Sequence, residues 1–347
     1  MSPRPSRARP VWHALSLVTV AAIALAGCNT SNTATATRVT GIPSIGISVP
    51  LHTVACTPSD SCIALGTTGA QLVPTSVAEY RQGNGNWSSL DVPAAPSAVI
   101  TSASCWKTGC LVGGIQPSGS LIWAYSASSQ SMSARDAPST SQGVRALDCF
   151  TDGSCAAVVS VASTNVSAIA FTGDGGATWS HAAPIPWTLG ETVKSVSCTD
   201  GNDCMVSAVS GAGTLDVRVT HDAGLTWIAR VTPTSWQALT SLHCSHRKCV
   251  GLATTDRTSV VARTSSFGRL WSATTLPVKA NALACTTITK CVIGGQTSSN
   301  GPWLATLTGT TYVVSPLRYV PSPVLDVACG TKVCVGIGVS TVLALRP

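Results

Sequence analysis

The cysteines constrain the fold more than any other feature of this sequence. All of the 15 cysteines except Cys28 fall into seven pairs, and four or five residues separate the two members of a pair. The pairs are Cys56 with Cys62, Cys105 with Cys110, Cys149 with Cys155, Cys198 with Cys204, Cys244 with Cys249, Cys285 with Cys291, and Cys329 with Cys334. Their first members lie 41 to 49 residues apart. Because a period in the forties is typical of four-stranded propeller blades, the sequence predicts an all-β fold, a seven-bladed β-propeller.

Residues 193–233 show how one blade is built. Leu215, Val217 and Val219 alternate with Asp216 and Arg218, which is the period of a strand with two different faces. Four antiparallel strands are expected: before Cys198, after Cys204, over 214–220 and over 227–231. Charged residues make up only 10% of the chain, which agrees with a β protein rich in Val and Thr.

The cysteine pairs have two interpretations. Such a pair could contribute to a metal site, but structural zinc usually needs four ligands, and these pairs belong to separate blades. We therefore predict one disulfide per blade across its first hairpin, with no metal and no cofactor. The histidines do not indicate a metal site either. His243 and His246 are close in sequence, but they lie on a basic hairpin on either side of Cys244, which is predicted to form a disulfide.

The two ends of the chain predict how the ring closes. The last repeat stops after its third strand, at 340–345, while an additional strand is predicted at 44–49, before the first cysteine. An open ring would leave the last blade with an unpaired edge. We therefore expect this N-terminal strand to complete the seventh blade.

The first 28 residues read as an export signal. Arg4, Arg7 and Arg9 precede an apolar run over 11–26. Residues 25–28, Leu-Ala-Gly-Cys, resemble the bacterial lipoprotein box. That resemblance implies lipid on Cys28 and a chain anchored to the extracytoplasmic face of the cell membrane, an oxidising location. The predicted organisation is a signal peptide at 1–28, a flexible tether at 29–41 and the propeller at 42–347. An ordinary cleaved signal or an uncleaved anchor is the alternative.

Residues 172–179 and 220–227 share the pattern Thr-x-Asp-x-Gly-x-Thr-Trp. It resembles the Asp-box, or BNR repeat, of sialidases, sortilin-type receptors and photosystem II assembly-factor propellers. The matching residues are Asp174, Gly176, Trp179, Asp222, Gly224 and Trp227. Residues 264–271 are a degraded copy with Ser266 in place of Asp. The resemblance implies a hairpin turn between the third and fourth strands, with Asp accepting backbone N–H bonds, Gly at positive φ and Trp packed between blades. It implies no activity, because the box is structural.

The sequence offers no catalytic set. Sialidases of this architecture use an arginine triad, a Tyr–Glu pair and an Asp acid/base, and none of these can be matched here. Gly41 stands where their Arg-Ile-Pro motif has arginine, and Glu79 and Glu191 are the only glutamates. Without residues 1–28 the net charge falls from +7 to +4, too weak to indicate nucleic-acid binding.

One constellation is a candidate ligand site. The residues four positions before the first cysteine of each pair are polar in six of seven repeats: His52, Thr101, Arg145, Lys194, Thr240 and Asn281. In a propeller these positions gather at one mouth of the central channel. Trp187, Glu191 and Trp236 lie in the loops expected there, and together they predict a mildly basic, aromatic-flanked funnel. The alternative is that strand starts are polar because they meet solvent.

These features predict a monomeric, non-catalytic, lipid-anchored scaffold that binds an envelope protein or a glycan. The second hypothesis is a sialidase-like glycoside hydrolase acting on envelope or host glycans, for which two carboxyl groups would be required.

Overall fold

We analysed a computed structural model of the chain. The structure describes residues 37–38, 51–68, 75–83, 85–162, 166–187, 190–315, 317, 322–338 and 341–345. The chain separates into two compact units, Met1–Asn32 and Thr33–Pro347, and all described residues belong to the second. The predicted signal peptide and Cys28 lie outside the described residues. Within the described ranges, no helix is long and apolar enough to cross a membrane.

The described strands form seven antiparallel sheets of four strands each, as predicted. Strand β1 is Thr37–Arg38. Blade 1 contains β2 (Leu51–Cys56), β3 (Ser61–Thr68), β4 (Thr75–Gln82) and β5 (Ser88–Leu90). Blade 2 contains β6 (Val99–Cys105), β7 (Gly109–Gln116), β8 (Gly119–Ser126) and β9 (Ser131–Ala134). Blade 3 contains β10 (Ser141–Thr151), β11 (Ser154–Val161), β12 (Ser167–Thr172) and β13 (Ala183–Pro184).

Blades 4 to 7 follow the same plan. Blade 4 contains β14 (Thr192–Cys198), β15 (Cys204–Val209), β16 (Leu215–Thr220) and β17 (Ile228–Arg230), and blade 5 contains β18 (Ala238–Ser245), β19 (Lys248–Thr254), β20 (Ser259–Thr264) and β21 (Ser272–Thr275). Blade 6 contains β22 (Lys279–Thr287), β23 (Lys290–Gln296), β24 (Pro302–Thr308) and β25 (Thr311–Val314). Blade 7 contains β26 (Asp326–Cys329), β27 (Cys334–Gly338) and β28 (Thr341–Leu345), together with β1.

An N-terminal strand closes the ring, but it comes from earlier in the chain than predicted. Strand β1 pairs antiparallel with β28, with Thr37 opposite Ala344 and Arg38 opposite Leu343. These residues belong to the segment 29–41, for which a flexible tether was predicted. The segment 44–49, predicted to close the ring, lies outside the described residues. Both segments contain β-branched residues, so local propensity did not distinguish them.

All seven predicted disulfides are present, one in each blade. In chain order they join Cys56 to Cys62, Cys105 to Cys110, Cys149 to Cys155, Cys198 to Cys204, Cys244 to Cys249, Cys285 to Cys291, and Cys329 to Cys334. Each links directly opposed residues of the first two strands of its blade. Their Cα atoms lie 3.9 to 4.1 Å apart. This spacing is close to that of non-hydrogen-bonded antiparallel pairs, about 4.5 Å, so the disulfide fits the strand register.

The core consists of seven apolar clusters, and each lies between two neighbouring blades. Between blades 7 and 1, for example, Val54 and Trp87 pack with Ile337 and Val342. No blade buries its apolar faces without its neighbours. Closing the ring therefore completes the seventh cluster, which gives the last junction the same hydrophobic stabilisation as the others.

A candidate binding channel

A central channel runs through the ring along the innermost strands. Its cavity has a volume of about 1160 Å³, and residues of β2, β6, β10, β14, β18, β22 and β26 line its wall. The channel has two ends, and we refer to the one at which these strands begin as the bulge end. The opposite end, where the first hairpin and the turn between the third and fourth strands of each blade lie, is the turn end.

The innermost strand carries a β-bulge at the same place in blade after blade. Register shifts leave one residue without a partner on the second strand, at His52, Thr101, Arg145, Lys194 and Asn281. These are the positions four residues before the cysteine that the sequence singled out. An extra residue bends the strand and redirects its side chain, and such bulges recur beside functional sites.

Glycines on the second strand accommodate two of these bulges. A Cβ on Gly114 would lie 2.5 Å from the carbonyl oxygen of Val99, and one on Gly295 would lie 2.5 Å from that of Lys279. Only glycine permits so close an approach of the innermost strand. Mid-strand glycines are thus the sequence signal from which the bulges could have been predicted.

The bulged residues do not all serve the same purpose. Thr101 donates its hydroxyl hydrogen to the carbonyl oxygen of Val144 in blade 3, at 2.7 Å. The side-chain amide of Asn281 donates to the carbonyl oxygen of Val324 in blade 7, at 2.8 Å. Both tie neighbouring blades together. His52 and Lys194 line the cavity, whereas Arg145 is exposed beside it.

Blade 5 differs from the prediction. Thr240 stays in register opposite Leu252, and its hydroxyl bonds to the carbonyl oxygen of that residue. The irregularity falls on the next two residues, and Ser241 lines the cavity with a φ of 51°. Thr240 is therefore not among the channel-lining residues, because counting back from the cysteine missed a one-residue shift.

The predicted aromatic flank is wrong. Trp187 is 8% exposed and packs in the core between blades 3 and 4, and Trp236 is 5% exposed and packs between blades 4 and 5. Trp236 also contacts Trp271 edge to face, with ring centroids 5.5 Å apart. Both tryptophans serve interblade packing, and neither lines the cavity. Glu191 is half-buried and likewise lies outside the cavity lining.

The small and polar residues around the channel have a role that sequence analysis missed. An innermost strand is a sheet edge, so half of its N–H groups lack a partner within the blade. Side chains of the preceding blade supply acceptors: Ser102 to Leu147, Ser104 to Cys149, Asp148 to Cys198, Ser195 to Leu242, Ser197 to Cys244 and Asp326 to Val54. Small and polar residues on the innermost strands thus act as hydrogen-bond acceptors for the next blade.

Two of these acceptors are carboxyl groups on the channel wall, and both residues are half-buried. Burial raises the pKa of Asp148 to about 7, although hydrogen bonds from the Cys198 N–H and from Ser197 act in the opposite direction. Burial likewise raises the pKa of Asp326 to about 6, against bonds from the Val54 and Val327 N–H groups. Desolvation lowers the pKa of His52 and of His243. Burial therefore favours the neutral forms of both imidazoles on this polar wall.

At the turn end, residues 172–179 and 220–227 form the same turn. The Asp174 carboxylate accepts the Thr178 N–H at 2.9 Å, and Asp222 accepts the Thr226 N–H at 2.8 Å. The first of these carboxyls has its pKa lowered to about 2 by the bonds from Thr178. Gly176 and Gly224 adopt φ of 83° and 86°, and Trp179 and Trp227 pack against interblade cores.

The described residues contain no group of three or more His, Cys, Asp or Glu side chains arranged to hold a metal ion. Asp148 and Asp326 both hold neighbouring strands, so their visible role is structural. The arrangement offers a wide polar channel that is suited to binding.

Comparisons with known proteins agree with this architecture. A structure of YCF48 bound to D1 peptide superposes with a TM-score of 0.63 at 17% identity, covering 91% of this chain and 96% of that one. YCF48 from Cyanidioschyzon merolae gives a TM-score of 0.63 at 12% identity, covering 90% and 99%. The β-propeller domain of the Trilobed protease from Pyrococcus furiosus gives 0.54 at 10%, covering 78% and 86%. At these identities the likeness concerns the fold. No protein-family model and no curated protein matches the chain.

Proposed function

We propose that this protein is a non-catalytic scaffold that binds a segment of a partner polypeptide at the bulge end of its channel. The observation that carries the proposal is the repeated bulge, which places polar residues of blades 1 to 4 and of blade 6 at one mouth. A fixed ring of side chains around a wide cavity is a preorganised site, which reduces the entropy lost on binding.

Arg145 and Lys194 are the residues expected to select the ligand. They stand on the bulges of neighbouring blades, and both are exposed. Their charge favours an acidic segment. A polypeptide ligand rather than a glycan is supported by the similar fold of YCF48, which has been observed with a D1 peptide.

The proposal includes the membrane anchor suggested by the sequence. Residues 25–28 match the bacterial lipoprotein box, and the seven disulfides fit an oxidising, extracytoplasmic location. Lipid on Cys28 would hold the ring near the membrane surface. Metabolic labelling with a palmitate analogue should mark the chain, and Cys28→Ser should abolish the label; a label that survives this substitution contradicts the anchor.

The binding role can be tested with the full chain in native membranes. Crosslinking followed by affinity capture and mass spectrometry should recover one partner with crosslinks confined to one segment. Arg145→Ala combined with Lys194→Ala should weaken binding of that segment, made as a synthetic peptide, roughly tenfold. The matched control is Lys107→Ala with Lys248→Ala, which removes the same charge from exposed residues of the turn end that lie outside the cavity lining.

Two results would overturn this role. One is equal peptide affinity for the wild type and the variant that lacks Arg145 and Lys194. The other is equal weakening by the control pair, which would show a general charge effect and not a site. Turnover of glycosides by the wild type would instead favour the hydrolase alternative.

A further inference from the structure

The turn end of the ring carries its charges in two separate halves. Blades 3 and 4 contribute aspartates: Asp152, Asp174, Asp200, Asp203 and Asp222. Blades 5 to 7 contribute cations: Arg247, Lys248, Arg269, Lys290 and Lys332. All are exposed except Asp203 and Asp222, which are half-buried. A net charge alone does not reveal this separation.

Hydrogen bonds place these groups at a common end. In each of blades 1 to 6, a backbone N–H of the turn between the third and fourth strands donates to a carbonyl of the first hairpin. In blade 3 Gly175 donates to Gly153, at 2.8 Å, and in blade 5 Phe267 donates to Arg247, at 2.9 Å. Both kinds of turn therefore lie in one layer around the channel.

The charge at the turn end changes from negative in blade 4 to positive in blade 5, but the turn between the third and fourth strands keeps its conformation. Ser266 accepts the Leu270 N–H at 3.0 Å, as Asp222 accepts the Thr226 N–H in blade 4. The hydroxyl of Thr264 accepts the N–H of Gly268, as that of Thr220 accepts the N–H of Gly224. Blade 5 has kept the turn's backbone N–H hydrogen bonds and exchanged its carboxylate for a hydroxyl, while Leu270 replaces the threonine whose hydroxyl donates to Asp222 in blade 4.

Two exposed leucines lie beside the boundary between the halves. Leu225, in the blade 4 turn, is 80% exposed, and Leu270, in the blade 5 turn, is 78% exposed. Large apolar side chains this exposed, with acidic groups on one side and basic groups on the other, are typical of a contact surface with a charged rim.

We propose that two copies of this chain associate through their turn ends as a two-fold symmetric dimer. A two-fold interface brings one patch onto itself, so a surface whose halves carry opposite charge is complementary to its own copy. The axis lies in the plane of the contact and passes between blades 4 and 5. The dimer replaces the monomer that the sequence predicted, and it is independent of the ligand site at the bulge end.

The ring geometry fixes which groups meet. Blade 4 of one subunit faces blade 5 of the other, so acidic and basic turns meet and Leu225 faces Leu270. Blade 3 faces blade 6, which sets Asp152 against Lys290. Because seven is odd, blade 1 faces its own copy, through the neutral Pro58 and Ser59. Blades 2 and 7 bring Lys107 towards Lys332, the one unfavourable pairing.

The test measures the monomer–dimer equilibrium by analytical ultracentrifugation over a range of protein and salt concentrations. Thr33–Pro347 contains every described strand and all seven disulfides, so this unit retains all interblade contacts and is suitable for the measurement. The wild type should dimerise, and dissociation should increase with salt because exposed charges contribute.

Charge exchange gives the decisive result. Asp152→Lys and Lys290→Glu should each weaken the dimer roughly tenfold, since each creates two like-charge contacts per dimer. The combined variant should recover nearly wild-type affinity, and so should an equimolar mixture of the two single variants. Lys107→Glu should tighten the dimer by removing the unfavourable pairing.

Lys279→Glu is the matched control, because it makes the same charge change at the other end of blade 6 and should leave the equilibrium unchanged. A wild type that stays monomeric at the highest concentrations overturns the proposal. The proposal is also overturned if the combined variant dimerises more weakly than either single variant. It is likewise overturned if substitutions of Asp152 and Lys290 leave the dimerisation affinity unchanged.

Discussion

The junction between blades 4 and 5 and the junction between blades 7 and 1 meet the same requirement with different groups. In both, backbone N–H groups of one blade need acceptors from its neighbour. At the first junction the hydroxyls of Ser195 and Ser197 accept, at 3.0 Å each. At the second, carboxylates accept: Asp326 bonds to the N–H of Val54 at 2.9 Å, and Asp60 bonds to those of two blade 7 residues.

The closing junction has additional contacts at its turn end. Asp60 is 8% exposed and accepts the N–H groups of Lys332 at 2.9 Å and Val333 at 3.1 Å. The Thr331 hydroxyl donates to the carbonyl of Pro58. Bonds to an ionised acceptor are stronger than neutral ones. The closing junction thus has two carboxyl acceptors, Asp60 and Asp326, whereas the junction of blades 3 and 4 has one, Asp148.

Replacing Asp60 should have the largest effect on stability. Asp60→Ala leaves two blade 7 N–H groups without an acceptor and removes the charge that interacts with buried Arg81. We expect a loss of about 3 kcal/mol in the free energy of unfolding, measured by denaturant titration with disulfides intact. Asp91→Ala, the same change at an exposed position after the last strand of blade 1, is the control. Equal effects of the two substitutions would remove the distinction between the junctions.

Ser197→Ala should be less costly. The Ser197 hydroxyl accepts the Cys244 N–H at the junction of blades 4 and 5 and interacts with Asp148. Its loss should lower the free energy of unfolding by about 1–2 kcal/mol, since one buried donor is left without a partner. The exposed Ser245 gives the matched Ser→Ala control. A loss as large as that of Asp60→Ala would show that hydroxyl and carboxylate junctions contribute equally.

Asp148 should make the stability depend on pH. Its folded pKa of about 7 exceeds the ordinary 3.8, so the folded chain keeps a proton that the unfolded chain has lost. Its contribution is therefore most favourable below pH 4 and decreases as the pH rises towards 7. Relative to Asp148→Asn, the wild type should lose roughly 1–2 kcal/mol across this range. A difference that is constant from pH 4 to 8 would contradict the raised pKa.

The smallest change is expected at the turns. Asp222→Ser reproduces in blade 4 the acceptor that Ser266 provides in blade 5, so the turn should retain its backbone N–H bond and lose only the bond from the Thr226 hydroxyl. Its Tm should fall less than that of Ser197→Ala, as measured by calorimetry. Asp222→Ala, which removes the acceptor altogether, is the comparison. A larger fall for the Ser variant would mean that the carboxylate itself is needed.

Much of the fold was predictable because cysteine pairs mark every first hairpin at a blade-length period. The blade number, the disulfides and an N-terminal closing strand are all confirmed. The closing residues were not identified, because two nearby segments have similar strand propensity and only long-range pairing separates them.

The candidate site was predictable only in part. Counting back from the cysteine found the bulged residues His52, Arg145 and Lys194, since the bulge repeats with the blade. The same counting failed at Thr240, where the irregularity shifts by one residue. Trp187 and Trp236 were misplaced because a tryptophan beside a loop can turn inward to fill an interblade core. Their roles as ligand contacts were inferred from loop position alone.

Every disulfide joins residues only five or six positions apart, and none links two blades. Each disulfide can therefore form within its own hairpin as soon as that hairpin has been exported, before the next blade is complete. Ring closure itself remains reversible, because no disulfide joins the first blade to the last. Reducing agents should loosen individual hairpins, whereas opening the wheel requires separating its first and last blades.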